Sequence, residues 1–289
     1  MYIVLGKNGY IAEAIIKELK SRDLPHVALS RTDINYTNKC DFDLYVLNNF
    51  HRNILEGEDI VIVNCAGYIG KPNVDACELA KADCIEGNVL FPAMLSQLCA
   101  DRGYQYVHIS SGCIYGGYSK HFTEEDASNF DFQNGSFYSG TKALAEKVVI
   151  QNNSSSYIFR LRIPFDEYSC PRNYLTKLLT YDTLLDAENS LSHRGDFAAY
   201  SIQLIEKKVP KGVYNITNKG SVTTKQVVKL FEKYNLTDKQ FKFFSNLDEF
   251  MFQASAPRSN CVLDTSKIEQ YIKIRTAEDA LKEALSKYK

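Results

Sequence analysis

The first twenty residues constrain this chain most. Tyr2-Ile3-Val4-Leu5 is a short apolar run, Gly6-Lys7-Asn8-Gly9 follows at once, and residues 12–19 then carry apolar side chains at helical spacing. A strand that turns through glycines into a helix aims backbone N–H groups and the positive end of the helix dipole at whatever lies above the turn, which suits an anion. The two glycines permit the tight turn and the close approach of a pyrophosphate. Ala12 stands where G-x-x-G-x-x-G has its third glycine, a position that needs only a small residue for packing of helix on strand.

The same alternation continues. Strands are predicted at residues 26–30, 59–64, 104–110 and 157–163, with helices at 44–55, 138–151 and, as one or two pieces, 74–101. Strands alternating with amphipathic helices predict an α/β fold, a Rossmann-type doubly wound parallel sheet covered on both faces. After Pro164 the rhythm changes to a Cys170-Pro171 loop, a helix at 173–181, a strand at 212–216 and amphipathic helices at 223–234 and 276–288. This predicts a dinucleotide-binding Rossmann domain over 1–163 and a smaller C-terminal α/β lobe over 164–289 as the place for a substrate, with room for the chain to cross back to the sheet. A length of 289 residues suits that division.

Composition removes other classes. Lys plus Arg number 34 against 35 for Asp plus Glu, a net charge of −1 that argues against a nucleic-acid or polybasic membrane partner. The eight cysteines include no Cys-x-x-Cys pair and no histidines at metal spacing, so reduced thiols and no metal site are expected. The start lacks a basic, extended apolar leader and no apolar run reaches membrane-spanning length, so the expected place is the cytoplasm.

At the end of the second strand, Ser30-Arg31-Thr32 occupies the place where NAD-specific enzymes carry an acid for the ribose 2′-hydroxyl. A guanidinium forks onto a 2′-phosphate instead, so NADPH is favoured over NADH, with Asp33 nearby as the opposing signal. Asp41 and Phe42 are placed beside the adenine, and Cys65, Ala66 and Gly67 along the cofactor crevice with Gly6, Asn8, Gly9, Tyr10 and Ile11. Tyr138 and Lys142 are four residues apart on one helix face, downstream of a strand ending in Ser110-Ser111. That is where a doubly wound dehydrogenase sets its catalytic groups beside the nicotinamide. Lys142 and the cofactor's positive charge favour a Tyr138 phenolate that exchanges a proton with a carbonyl oxygen held by Ser111.

Ser111, Tyr138 and Lys142 resemble the triad of the extended short-chain dehydrogenase/reductases. Five collinear blocks narrow the resemblance: residues 66–78, 112–115, 135–139, 171–177 and 256–260. Together they are similar to the bifunctional UDP-4-keto-6-deoxyglucose 3,5-epimerase/4-keto-reductases, the UDP-rhamnose synthases of plants with relatives in giant viruses. The likeness to dTDP-4-dehydrorhamnose reductase is looser. Ser111 replaces the Thr of the plant relatives, and residues 130–134 look like an insertion.

The resemblance implies epimerisation at C3 and C5 followed by NADPH-dependent reduction at C4, giving UDP-β-L-rhamnose. Its positions for the two extra acid–base groups are Cys113 and Lys177, with their order open. Cys113 lies two residues beyond Ser111 and so points to the same side in an extended segment. A thiol near a cation titrates near neutrality, and a desolvated lysine moves into a useful range. Arg258 is the first choice for the substrate diphosphate, with Asn173 beside it, while Asn73 and Asp75 approach the sugar. Arg160 and Arg162 share a strand face and are left out as structural, and Glu124-Glu125-Asp126 reads as a solvated loop. A separate UDP-glucose 4,6-dehydratase upstream and a homodimer are further implications of the resemblance. A reductase without epimerase activity and a non-catalytic regulatory subunit are the alternatives.

Overall fold

The computed structural model describes every residue except Pro72 and Ser255. Strands β1 (Tyr2–Leu5), β2 (His26–Leu29), β3 (Val61–Asn64), β4 (Gln105–Ser111), β5 (Tyr157–Leu161) and β6 (Gly212–Asn215) form one parallel sheet in the order β2-β1-β3-β4-β5-β6. The principal helices are α1 (Tyr10–Ser21), α2 (Lys39–Leu55), α3 (Phe91–Arg102), α4 (Phe137–Asn152), α5 (Tyr174–Thr180), α6 (Arg194–Glu206), α7 (Thr224–Lys233) and α8 (Ala277–Ser286). Strands buried on both faces read as continuous apolar runs, and β1 shows why. Tyr2 and Val4 join the core beneath α1 and α6, whereas Ile3 and Leu5 join the opposite core beneath α2, α3 and Val149 of α4.

The chain recrosses the sheet. After β5 it leaves at Pro164–Phe165, then returns as α6, packed on α1, and as β6, paired with β5 at the sheet edge. The C-terminal lobe is therefore assembled from both sides of that return, around Phe165, Leu175, Leu191, Val227, Phe231 and Leu281. Residues 74–101 are more broken than the apolar pattern suggests: a 3-10 turn at Val74–Glu78, a short helix at Lys81–Ile85 and a π turn at Glu86–Leu90 precede α3. π turns collect where a helix must re-aim side chains, and here one delivers Asn88 to the loop after β3.

Among the described residues, no helix is long and apolar enough to cross a membrane, and no group of three His, Cys, Asp or Glu side chains is placed to hold a metal. All eight cysteines are free thiols.

Candidate active site

In the order β2-β1-β3-β4 the chain leaves β1 toward β2 and leaves β3 toward β4, in opposite directions, so a crevice opens above the C-terminal ends of β1 and β3. Gly6 and Ala66 meet there. Gly6 has φ +83°, and a Cβ on it would stand 3.0 Å from the Ala66 backbone, so only glycine fits. Gly9 begins α1 without a side-chain cap, whereas Asn38, Ser136, Asn173, His193, Thr223 and Thr276 cap α2 and α4 to α8. The first N–H groups of α1 thus face the crevice unclaimed by side chains, which fits a dinucleotide pyrophosphate. Asn88 fixes the far wall: its side chain accepts from the Tyr68 N–H and donates to the Tyr68 carbonyl, each at 2.8 Å. Cys65 packs against the core beneath this wall.

The adenine end differs in part from expectation. Asp33 accepts from the Ser30 N–H and hydroxyl, each at 2.7 Å, and pairs with Lys7 at 2.7 Å. Those bonds hold its carboxyl below the usual carboxylate range and occupy the acid that would otherwise take a ribose hydroxyl. Arg31 is exposed and has no ion-pair partner among the described residues. Phe42 cannot flank adenine, because it is 0% exposed and packed under the sheet with Val46 and Ile62. Asp41 is exposed in the first turn of α2. The Tyr10 ring turns toward the lobe, donating to Asp166 at 3.1 Å beneath the Arg194 guanidinium 4.2 Å away, so only its backbone belongs to the anion turn. Ile11 likewise packs against the core.

Helix α4 carries Tyr138, Lys142 and Glu146 on one stripe. Its N-terminus is fixed twice, by the Ser136 hydroxyl on the Ser139 N–H and by the Glu78 carboxylate on the Phe137 N–H at 2.7 Å. Farther along, Glu146 accepts from Ser110 at 2.5 Å and pairs with Arg160 at 2.6 Å, both side chains buried. Breaking a buried pair of this kind costs about 3–5 kcal/mol, so this contact pins α4 against β4 and β5. Lys142 donates to the Ile109 carbonyl at 2.9 Å and lies 3.4 Å from His108 Nε2. Burial pushes its pKa below the ordinary lysine value, and pushes buried His108 to the neutral form.

The phenolate expected from sequence is not what this environment favours. Burial, and then the thiols of Cys113, Cys77 and Cys84, hold the Tyr138 phenol well above its ordinary value. Tyr138 is a protonated donor at neutral pH. Ser111 ends β4 and accepts the Cys113 N–H at 3.2 Å, which ties the two predicted groups into one turn. Cys113 also departs from expectation: burial pushes its thiol up, partly offset by hydrogen bonds from Ser111 and Ser139 and by the charges of Arg162 and Lys142.

On the lobe side, Lys177 projects from α5 with its pKa lowered, first by burial and then, against a raising effect of Cys170, by the charge of Arg258. Arg258 is not free. Its fork closes on Asp75 through Nη1–Oδ1 at 2.5 Å and Nη2–Oδ2 at 2.8 Å, so one predicted substrate ligand holds another. Asn73 caps the 3-10 turn through the Asp75 N–H at 2.9 Å.

Asn173 must be corrected. It is 0% exposed, accepts from the Leu175 N–H at 3.0 Å, and donates to the Asp166 carbonyl, the Asp166 carboxylate and the Tyr168 carbonyl. With its amide saturated it positions α5, and hence Lys177, instead of meeting a diphosphate. Asn173→Ala is expected to lower stability by about 2–3 kcal/mol, a lost cap plus orphaned buried acceptors, as read by urea denaturation.

Residues 130–134 pack on α4. A Cβ on Gly140, between Tyr138 and Lys142, would fall 2.3 Å from the Phe132 ring. The acidic loop is not simply solvated either, since Glu124 accepts the Asn215 N–H of β6 at 2.8 Å. Sequence reasoning missed Asn88 and Glu146, and set Arg162 aside as structural. Glu146 carried a usable signal, the i+4 continuation of Tyr138 and Lys142. Asn88 carried none, because its partner Tyr68 is remote in sequence.

With this geometry in place, comparison with known proteins is decisive at the family level. The model of the RmlD substrate binding domain matches residues 1–289. The chain belongs to the RmlD substrate-binding family. Among relatives of this RmlD-family chain, a bifunctional dTDP-4-dehydrorhamnose 3,5-epimerase/dTDP-4-dehydrorhamnose reductase of Arabidopsis thaliana is 33% identical over 216 residues, 72% of this chain and 70% of that protein. A trifunctional UDP-glucose 4,6-dehydratase/3,5-epimerase/reductase of the same plant is 32% identical over 78% of the chain, which spans only 34% of that longer protein. The crystal structure of the UDP-rhamnose synthase of Acanthamoeba polyphaga mimivirus superposes with a TM-score of 0.87 at 20% identity, covering 99% of this chain and 98% of that one. At that identity the superposition establishes the shared fold.

Proposed function

We propose that this RmlD-family chain converts UDP-4-keto-6-deoxy-D-glucose to UDP-β-L-rhamnose, by epimerising C3 and C5 and then reducing the C4 ketone with NADPH. The observation that carries the reading is a single turn of chain. The end of β4 ties Ser111 to Cys113 beside Tyr138 of α4, and in this reading Lys177, which feels the charge of Arg258, comes to the sugar from the lobe. The bifunctional plant relative supports the same pairing of activities.

Protons next to a ketone are removed when the electron pair left on carbon can pass to the carbonyl oxygen. In this site the Ser111 hydroxyl and Tyr138 phenol donate to that oxygen and stabilise the enolate. Lys177, whose pKa is depressed, takes the proton from one face of the sugar, and Cys113, held as a thiol, returns one to the other face. Bound NADPH supplies the hydride to C4. Tyr138 then gives its proton to the C4 oxygen, and the buried Lys142 ammonium stabilises the phenolate left behind. Arg258 takes the diphosphate by exchanging its Asp75 partner for phosphate oxygens.

The cofactor preference follows from the occupied Asp33 and the exposed Arg31. Arg31→Ala is expected to raise the KM for NADPH about tenfold and leave that for NADH within about twofold, measured by absorbance at 340 nm.

The whole reading is tested by an NMR time course on UDP-4-keto-6-deoxyglucose in deuterated water, first without NADPH and then with it. Deuterium entering C3 and C5 before NADPH, and UDP-rhamnose after it, is the expected result. Reduction without exchange reduces the proposal to a plain 4-keto-reductase, and neither signal overturns it.

A further inference from the structure

Arg162 sits just past the end of β5, opposite the turn that carries Cys113. Leu161 is in register with Ser111 of β4, so Arg162 and the 112–113 turn emerge side by side from adjacent strands. Its guanidinium is buried, yet no carboxylate pairs with it among the described residues. Nη2 donates to Asn189 Oδ1 at 2.6 Å and to the Ser259 carbonyl, while Nε is buried and has no hydrogen-bond partner among the described residues. Asn189 Oδ1 also accepts the Cys261 N–H at 3.1 Å, and the Cys261 thiol donates to the Gly112 carbonyl at 3.4 Å. One hydrogen-bonded path thus ties the guanidinium to the residue preceding Cys113 and to the block that carries Arg258.

A buried cation without a counter-ion is costly, and proteins keep one where a negative charge forms during function. Arg160, two residues earlier on the same strand, makes the contrast plain, because it is neutralised by Glu146. We infer that Arg162 is a positioning residue for the epimerisation, its guanidinium serving as the counter-ion for the thiolate that Cys113 becomes when it gives its proton to the sugar carbon.

This inference rests on the epimerase reading proposed above. The groups facing Cys113 are the hydroxyls of Ser111 and Ser139, the Tyr138 phenol, the Lys142 ammonium and Arg162. Tyr118 and Tyr174 also feel the Arg162 charge. Lys142 is already bound to the Ile109 carbonyl and is the proposed partner of Tyr138, whereas the Arg162 Nε is unpartnered among the described residues.

The test is the pH dependence of iodoacetamide alkylation at Cys113, followed by peptide mass mapping of the whole protein without substrate. In Arg162→Gln the Cys113 profile is expected to move up by about one pH unit, a tenfold loss of reactivity at a given pH. Deuterium exchange at neutral pH slows by a similar factor, and reduction of an already epimerised 4-keto sugar changes by less than about threefold. Arg162→Lys, which keeps the charge, is expected to restore most of the reactivity. Asn189→Ala loosens the guanidinium without removing it and shifts the profile in the same direction by less, which keeps the test open if the Gln variant does not fold. An unshifted Cys113 profile in a folded Arg162→Gln or Asn189→Ala protein overturns the inference, as does a Lys variant no better than Gln. Failure of the underlying reading looks different: Cys113→Ala would retain full exchange, whatever Arg162 does.

Discussion

Tyr138→Phe is expected to cut C4 reduction by about a thousandfold, roughly 4 kcal/mol of transition-state stabilisation, while deuterium exchange at C3 and C5 falls by no more than about tenfold. The phenol is held protonated first of all by burial, so it is poised to donate and not to accept. Removing its oxygen deletes the proton that must reach the C4 oxygen as hydride arrives. It deletes only one of two donors to the enolate, since the Ser111 hydroxyl remains. Among the described residues the phenol oxygen has no protein hydrogen-bond partner, so the substitution leaves α4 anchored by Ser136, Glu78 and Glu146. The reduction limb is read as NADPH oxidation at 340 nm, and the exchange limb by NMR on the same preparation. Equal loss of both activities in a folded Tyr138→Phe protein would show that one group serves both steps, and the division of labour would be wrong.

What the sequence made legible follows physical locality. Each strand of the central sheet was read as a strand, plainest in β1 and β3, which are buried throughout and carry apolar runs, although β6 was assigned to the lobe because its pairing with β5 is set by a distant return of the chain. The Gly6-Lys7-Asn8-Gly9 turn and the Tyr138/Lys142 stripe were equally plain, since their geometry is set within a few residues. Long-range partners were not. Phe42 reads as a neighbour of the adenine until α2 is laid on the sheet, and Asn173 reads as a polar ligand until Asp166 and Tyr168 fold back onto its amide. The electrostatics failed for the same reason. Lys142 does lie near Tyr138 in sequence, but the burial that lowers its pKa is a property of the fold, and the contacts that hold its ammonium, the Ile109 carbonyl and His108, come from β4. Cys113 likewise looked like a thiol activated by a cation, and only burial, a property of the whole fold, decides that it stays protonated.

The opposite directions of the Lys177 and Cys113 shifts lead to the second large effect. Lys177→Met and Cys113→Ala are each expected to slow exchange at C3 and C5 by about a hundredfold to a thousandfold, and to leave reduction of an already epimerised ketone within about threefold. Exchange by the wild-type protein should also be bell-shaped in pH. A base must be unprotonated to take a proton from carbon, so the rate climbs as pH rises through the pKa of Lys177. Burial and Arg258 depress that pKa, which places the climb below the range of a solvated lysine. The acid must keep its proton, so the rate falls as pH passes the raised pKa of Cys113, above the usual thiol range. At low substrate concentration the profile reports the free protein, before a diphosphate can offset the Arg258 charge. Arg258→Gln should therefore move the rising limb to higher pH and leave the falling limb in place, apart from its effect on substrate affinity. A rising limb that stays put would remove Lys177 as the base. A falling limb that moved instead would exchange the roles, because it would mean that Arg258 acts on the thiol and not on the amine.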